Sequence, residues 1–117
     1  DPERSYPYQA LAEIYKKQGD DAAALVELEH FVMLEQMQVG PLRELVDAYA
    51  AQRAWPKVKT YGELALALFP SDADLLTTLG KAYLALGDKA NAKAALAAAA
   101  KTEPAHADVV ELKKQLK

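Results

Sequence analysis

The sequence contains no cysteine, few histidines and no long apolar run. The absence of cysteine excludes disulfide scaffolds, cysteine-ligated zinc sites and thiol nucleophiles. No apolar stretch approaches the roughly 20 residues that a membrane-spanning helix needs, so we expect no direct membrane insertion. No secretory signal peptide is recognisable, and the chain opens on Asp1 rather than Met, which suggests a processed product or a piece of a longer protein.

The chain also lacks an excess of basic over acidic residues. The chain carries 14 Lys and Arg against 17 Asp and Glu, a formal net charge of −3. Affinity for nucleic acid depends on cationic side chains that release counterions, so no nucleic-acid partner is expected. Half of the residues are apolar (51%) and 26% are charged, which is typical of a folded domain, and a length of 117 residues predicts one.

What the chain does contain is an internal repeat of 34 residues. Tyr15, Tyr49 and Tyr83 follow one another at this spacing. The same offset relates four further sets, which are Leu11/Leu45/Leu79, Ile14/Ala48/Ala82, Ala24/Val58/Ala92 and Phe31/Ala65/Ala99. A shared period of this length indicates stacked copies of one structural unit. The copies span residues 5–38, 39–72 and 73–106, and residues 107–117 remain.

Each repeat is predicted to form two helices. In the third repeat apolar residues recur at steps of three and four, as on one face of a helix. Gly87 ends that helix, since glycine readily adopts the left-handed conformation after a helix, and Asp88 caps the next one. In the first repeat we expect helices from about Tyr6 to Gln18 and onward to about Glu35.

The middle repeat departs from this pattern. Residues 52–56 replace the Gly-Asp turn of the other two repeats, and Gly62 stands where they carry leucine. Pro56 is predicted to lie in the first turn of the following helix, as are Pro7 and Pro41 in theirs.

The third repeat is similar to the tetratricopeptide repeat. The residues that carry the resemblance are Leu76, Leu79, Gly80, Ala82, Tyr83, Gly87, Ala92, Leu96, Ala99 and Pro104. The resemblance extends over nearly the whole chain. It implies an all-α fold, an α-α superhelix that forms a right-handed solenoid of helix-turn-helix repeats. Residues 1–117 would form a single domain with a capping helix at residues 107–117.

The resemblance also implies a non-catalytic protein–protein interaction module that binds a peptide segment or a protein surface in a concave groove. In this family the groove is lined by the second, fifth, sixth, ninth, twelfth and thirteenth positions of each repeat. The polar residues predicted to bind a partner there are Tyr6, Gln9, Glu13, Lys16, Lys17, Arg43, Glu44, Asp47, Asp74, Thr77, Thr78 and Lys81. The smaller or apolar residues at these positions are Ala10, Gly40, Ala50, Ala51, Leu84 and Ala85.

Some tetratricopeptide domains hold the C-terminal carboxylate of chaperone peptides with Lys and Asn at the fifth and ninth positions. At those positions this chain offers Gln9, Glu13, Asp47, Thr77 and Lys81. Acidic side chains in place of cationic ones disfavour capture of an acidic tail. We expect a segment of mixed or positive charge, or a flat protein surface, to fit better.

Three aromatic residues lie at a turn or at the start of a repeat. Trp55, at the turn within the middle repeat, either packs against the turn of an adjacent repeat or is an exposed anchor for a partner. Tyr6 and Tyr8 open the first repeat, where either the rest of a parent protein covers them or they form an exposed patch for self-association.

The sequence shows no pattern of residues typical of a catalytic or metal-binding site. His30 and His106 have no histidine at metal-ligand spacing, so we expect helix-surface or capping roles. The carboxylate pairs Glu27/Glu29 and Asp72/Asp74 are two residues apart and point to different sides of a helix, and Asp72 or Ser71 is expected to cap the third repeat. No metalloprotease, nucleophile-elbow or phosphate-loop pattern occurs. We predict no catalytic residues, no metal and no cofactor.

Two other roles remain open. The chain could be an accessory domain of a larger bacterial enzyme or assembly factor, or a structural scaffold that assembles into homo-oligomers. The sequence does not fix the compartment, so a bacterial cytoplasmic and an envelope location are both consistent with it.

Overall fold

The computed structural model describes residues 2–35 and 39–116, and all regular structure in that part of the chain is helical. The helices are α1 (Pro2–Lys17), α2 (Asp21–Leu34), α3 (Val39–Ala51), α4 (Trp55–Leu68), α5 (Ala73–Ala85), α6 (Lys89–Thr102) and α7 (Ala107–Gln115). The all-α prediction is confirmed. The predicted end of the first repeat at residue 38, and Lys117 of the predicted capping helix, lie outside the described residues.

Aspartate side chains cap three of these helices. In each case Oδ1 accepts a hydrogen bond from the backbone amide three residues further on, at 3.1 Å for Asp20, 3.0 Å for Asp72 and 3.1 Å for Asp88. These bonds satisfy amides that the first helical turn leaves without a partner. The cap predicted at Asp88 is confirmed, and of the two predicted candidates Asp72 rather than Ser71 is the N-cap of α5.

The turns between paired helices use left-handed backbone. Gly19 has φ 78° and Gly87 has φ 82°, as predicted from their place after a helix. Arg53 occupies the equivalent place between α3 and α4 with φ 57°. The middle turn thus keeps the backbone shape of the other two without their glycine.

The proline predictions are confirmed in two of three helices. Pro41 is in the first turn of α3 and Pro56 in the first turn of α4. The prediction for Pro7 is wrong, because α1 begins at Pro2 and places Pro7 inside the helix. Pro2 suits a helix start, since its fixed φ is already helical, whereas Pro7 removes one helical hydrogen bond.

The chain divides into two compact units, residues 1–48 and residues 49–117. In the first unit α1 packs against α2. The buried apolar side chains of this unit are Ala12, Ala24, Leu25, Leu28, Phe31, Val32, Leu42, Leu45 and Val46. The single domain expected from the sequence stays a prediction.

In the second unit α5 is the central helix and packs against α4, α6 and α7. Its own contribution to the core is Ala73, Leu75, Leu76, Leu79, Ala82 and Tyr83. The helices around it contribute Val58, Tyr61, Ala65, Ala92, Ala95, Leu96, Ala99, Val109 and Leu112. This burial holds α5 in place and so fixes the directions of its remaining, solvent-facing side chains.

Helices α4 and α5 approach closely at Gly62. A Cβ atom built on Gly62 would lie 2.7 Å from Cδ2 of Leu79, so the leucine occupies the space that a larger residue would need. One residue on, Glu63 accepts a hydrogen bond of 2.5 Å from the Tyr83 hydroxyl. Burial and this hydrogen bond raise the pKa of Tyr83, so its phenol stays protonated.

Helix α7 covers the end of the second unit with two buried residues. Val109 is fully buried, and Leu112 is 2% exposed. Leu112 lies against Gly80 of α5, where a Cβ built on the glycine would be 3.3 Å from its Cδ1. Lys113 stands one repeat length after Leu79 but is exposed to solvent.

Candidate functional site

A groove of about 620 Å³ runs along the second unit. Its lining residues are Ala50, Arg53, Trp55, Lys81, Leu84, Ala85 and Gln115. Helix α5 supplies Lys81, Leu84 and Ala85. Leu84 and Ala85 are three and four residues after Lys81, so they share a helical face with it. Ala50, Lys81, Leu84 and Ala85 are all at positions that the sequence predicted to face the groove.

The groove is lined by both apolar and polar side chains. Ala50, Leu84 and Ala85 provide the apolar part, while Arg53 and Lys81 bring positive charge at exposed positions. Sites that bind peptides and small ligands are commonly built in this way, with apolar contact for affinity and a few polar groups for orientation.

Trp55 forms part of the wall of this groove. It is the first residue of α4 and is half-buried. The two alternatives predicted for it, packing against a turn and presentation to a partner, stay predictions.

Two pairs of charged or polar side chains link α5 to the start of α7. Lys81 Nζ lies 3.3 Å from Asp108 Oδ2, and His106 Nε2 lies 2.5 Å from Asp74 Oδ1. The hydrogen bond to Asp74 raises the pKa of His106. These pairs join the first turn and the middle of α5 to the start of α7.

His106 also has the capping role that the sequence predicted for it. Its Nδ1 accepts a hydrogen bond of 3.1 Å from the Asp108 amide, which begins α7. His30 is exposed on α2, with Nδ1 3.6 Å from Oε2 of Glu27 and its ring centroid 5.1 Å from that of Tyr8.

Two predicted site residues on α5 have other roles. Thr77 is 1% exposed, and its hydroxyl donates to the Asp74 carbonyl at 2.9 Å. Thr78 is half-buried and donates to the same carbonyl at 2.9 Å. Thr77 was predicted to face the groove from its position in the repeat. In the structure its side chain points into the core, where it cannot contact a partner.

The other predicted site residues lie in the first unit. Lys16 of α1 forms an ion pair with Glu44 of α3. Tyr6 is 68% exposed, and Arg43 is half-buried. The remaining predicted residues of this unit are exposed, namely Gln9, Glu13, Lys17 and Asp47. The structure thus brings Lys16 and Glu44 together within residues 1–48.

Sequence reasoning did not select Arg53 and Gln115. Gln115 is 34 residues after Lys81, so extending the repeat into the C-terminal segment would have found it. Arg53 occupies the repeat position of Gly19 and Gly87. The replacement of glycine at this position was the feature of the sequence that could have identified it.

Within the described residues, no group of three or more His, Cys, Asp or Glu is arranged to hold a metal ion. None of the helices in that part of the chain combines the length and the apolar character needed to cross a membrane.

The comparisons with known proteins agree with this architecture. The tetratricopeptide repeat family matches residues 73–106, which are the residues of the third predicted repeat. The seven helices of the described residues fit three helix pairs and a C-terminal helix. The sequence matches none of the curated proteins with which it was compared.

Several solved structures are similar in fold. The first TPR of Spaghetti (RPAP3), bound to the HSP90 peptide SRMEEVD, has a TM-score of 0.73 and 21% identity, covering 97% of this chain and 91% of that one. The N-terminal domain of stress-induced protein-1 (STI-1) from C. elegans has a TM-score of 0.71 and 16% identity, covering 98% of this chain and 96% of that one.

A mutant of the Thermobaculum terrenum O-GlcNAc transferase is also similar, with a TM-score of 0.64 and 18% identity. The similarity covers 96% of this chain but 21% of the transferase chain. At these identities the similarities establish the fold, and the predicted helical-repeat class is confirmed.

Proposed function

We propose that this chain, a tetratricopeptide-repeat protein by its third helix pair and its fold, is a non-catalytic protein-interaction module. The observation that carries the proposal is the groove of about 620 Å³ in the second unit. Apolar and charged side chains line it together, and a solved structure of similar fold is bound to a peptide.

The ligand that suits this groove is a peptide segment or a protruding loop. An apolar side chain would lie on Leu84 and Ala85, beside the indole of Trp55. Arg53, Lys81 and Gln115 would hydrogen-bond to the main chain or to polar side chains of the same segment. Such a division between apolar anchors and a polar rim is typical of protein interfaces.

The mode of binding differs from capture of a free carboxyl terminus. In the second unit the fifth and ninth positions of the third repeat are Thr77, which is buried, and Lys81, which is paired with Asp108. With one position inaccessible and the other partly neutralised, a clamp of the carboxylate-binding kind is incomplete. A segment of mixed charge fits this set better than a strongly acidic tail.

A display library of 12-residue peptides, panned against the intact chain, tests the proposal. Peptides that bind are then titrated against two variants, Ala85→Arg in the groove and Ala97→Arg on the exposed surface of α6. Both change an exposed helical alanine to arginine. We expect Ala85→Arg to weaken binding at least tenfold, about 1.4 kcal/mol, and Ala97→Arg to leave affinity within twofold.

Circular dichroism of both variants checks that the helices are retained. The proposal fails if no peptide is enriched, or if the two variants affect binding equally.

A second candidate is an accessory domain of a larger enzyme. The transferase structure favours it, since the matched region is 21% of a longer, catalytic chain. In that role the groove would hold a substrate protein or a neighbouring domain, and the chemistry would lie in other residues. A coding frame that continues upstream of Asp1 into a catalytic domain would support this candidate.

A further inference from the structure

The turn between α3 and α4 places an arginine in a left-handed backbone conformation for which its counterparts use glycine. Arg53 has φ 57°, in the region where Gly19 and Gly87 lie with φ 78° and 82°. A residue with a Cβ atom is disfavoured there, whereas glycine is not. Arginine at this place therefore lowers the stability of the turn.

The same turn also lacks a side-chain cap. Ala54 begins α4 with φ −83° and ψ 69°, close to the −92° and 78° of Asp20 and the −94° and 77° of Asp88. An aspartate would fit this backbone, yet alanine stands here and no side chain accepts a hydrogen bond from the first turn. The turn thus omits a second stabilising contribution that its counterparts have.

The residues found there instead border the groove. Arg53 and Trp55 both line it, and Trp55 replaces the exposed Asp21 and Lys89 of the other repeats. Backbone strain of this kind is characteristic of positions kept for function rather than stability.

The chemistry of these side chains defines what they recognise. A guanidinium group forms paired hydrogen bonds with a carboxylate, and an indole offers a broad apolar face. Leu84 and Ala85 continue that apolar surface across the groove. Lys81 adds positive charge, although Asp108 lies 3.3 Å from it, so Arg53 is the main cation for a ligand.

We propose that the α3–α4 turn determines the specificity of the groove, and that it selects a peptide in which an Asp or Glu side chain stands next to a large apolar residue. The proposal rests on the proposed function and adds the identity of the ligand to it. The carboxylate binds Arg53, and the apolar side chain lies between Trp55 and Leu84. The rest of the segment carries mixed charge.

The test uses peptides enriched by the intact chain, synthesised with acetylated and amidated ends so that no terminal charge contributes. Affinities are measured for the native chain and for Arg53→Gly, Arg53→Lys and Trp55→Ala. We expect Arg53→Gly and Trp55→Ala to weaken binding about tenfold each, and Arg53→Lys to recover part of the affinity since it keeps the charge but loses the paired geometry.

A double-mutant cycle identifies the contact. Changing the acidic residue of the peptide to its amide should weaken binding to the native chain about tenfold and have no further effect on Arg53→Gly. An equal loss with both proteins would overturn the proposal. Peptides with a free C-terminus that depend on Arg53 where amidated ones do not would overturn it too, in favour of a terminal carboxylate.

Thermal unfolding distinguishes a specific loss of binding from a loss of folding, because a variant that fails to fold would not have a raised Tm. Arg53→Gly and Ala54→Asp should each raise the Tm by about 5 °C while Arg53→Gly weakens binding. A lower Tm for Arg53→Gly would show that the turn is not strained. If Ala85→Arg abolishes binding but Arg53→Gly does not, the interaction module stands and the specificity of the turn is refuted.

Discussion

At the scale of single residues, departures from the repeat are explained by contacts that the sequence does not show. Gly62 stands where the other repeats carry Leu28 and Leu96. Glycine in a helix interior lowers stability, but Leu79 needs the space beside it. The cost in helix propensity is therefore balanced by the close packing of α4 against α5.

This balance predicts that a change of glycine to alanine affects the free energy of unfolding in opposite directions at Gly62 and at Gly40. Gly62→Ala gains about 1 kcal/mol in helix propensity but forces Cβ against Leu79, at a cost of about 1–3 kcal/mol. We expect a net loss of about 1 kcal/mol in the free energy of unfolding, measured with urea. Leu79 is fully buried, so it cannot move aside freely.

Gly40→Ala is the matched control. Gly40 lies in α3 with no atom within 4 Å of a built Cβ. This variant should gain stability, by up to about 1 kcal/mol. A gain at both sites would show that Leu79 does not restrict Gly62.

At the scale of helices, aspartate caps make the starts of α2, α5 and α6 depend on a carboxylate. At Asp88, Oδ1 accepts from the Asn91 amide at 3.1 Å, and Oδ2 from Nδ2 of the same residue at 2.6 Å. These hydrogen bonds, aided by the charge of Lys59, lower the pKa of Asp88 below its usual 3.8. The folded state therefore favours the ionised form.

The lowered pKa predicts an acid-dependent loss of stability. Asp88 contributes fully above its unfolded pKa of 3.8, and the contribution is lost as the pH falls through the folded value. Asp88→Asn keeps an acceptor for the cap but does not titrate. We expect the native chain to lose stability on acidification faster than this variant, as measured by urea unfolding between pH 7 and about pH 3. Parallel pH profiles would contradict the expectation.

The sequence predicted the elements better than the details of the site. Periodic apolar residues and the Gly-Asp turns gave the helix pairs, because both signals are local. The start of α1 was missed because Pro7 imitates a first-turn proline. Thr77 was misplaced, since counting repeat positions does not give the rotation of a side chain into the core. Arg53 was missed because a sequence shows the loss of glycine but not that the backbone stays left-handed.

At the scale of the whole molecule, burial within each compact unit depends on contacts between neighbouring helices. In the unit of residues 49–117 the last neighbour is α7, which contributes Val109 and Leu112 to the core. In repeat proteins stability is close to a sum of such neighbouring contacts. Removing the contact of α7 should therefore affect α5 and α6 before it affects α1 and α2.

Leu112→Ala tests this expectation. Truncating a buried leucine costs about 2–5 kcal/mol, whereas Val110→Ala in the same helix, at a site 44% exposed, should change stability by less than about 0.5 kcal/mol. Hydrogen exchange should speed up in α5 and α6 and change less in residues 1–48. Uniformly faster exchange along the chain would mean that the two units unfold as one.

The double role of His106 has a spectroscopic consequence. A backbone amide can only donate, so Nδ1, as acceptor from Asp108, carries no hydrogen in the neutral ring. The hydrogen must then reside on Nε2 and point to Asp74. As long as α7 keeps this position, the neutral ring of His106 adopts the tautomer with its hydrogen on Nε2. The NMR resonances of the imidazole nitrogens report this tautomer. With only two histidines in the chain, His30 supplies the internal reference for that signal.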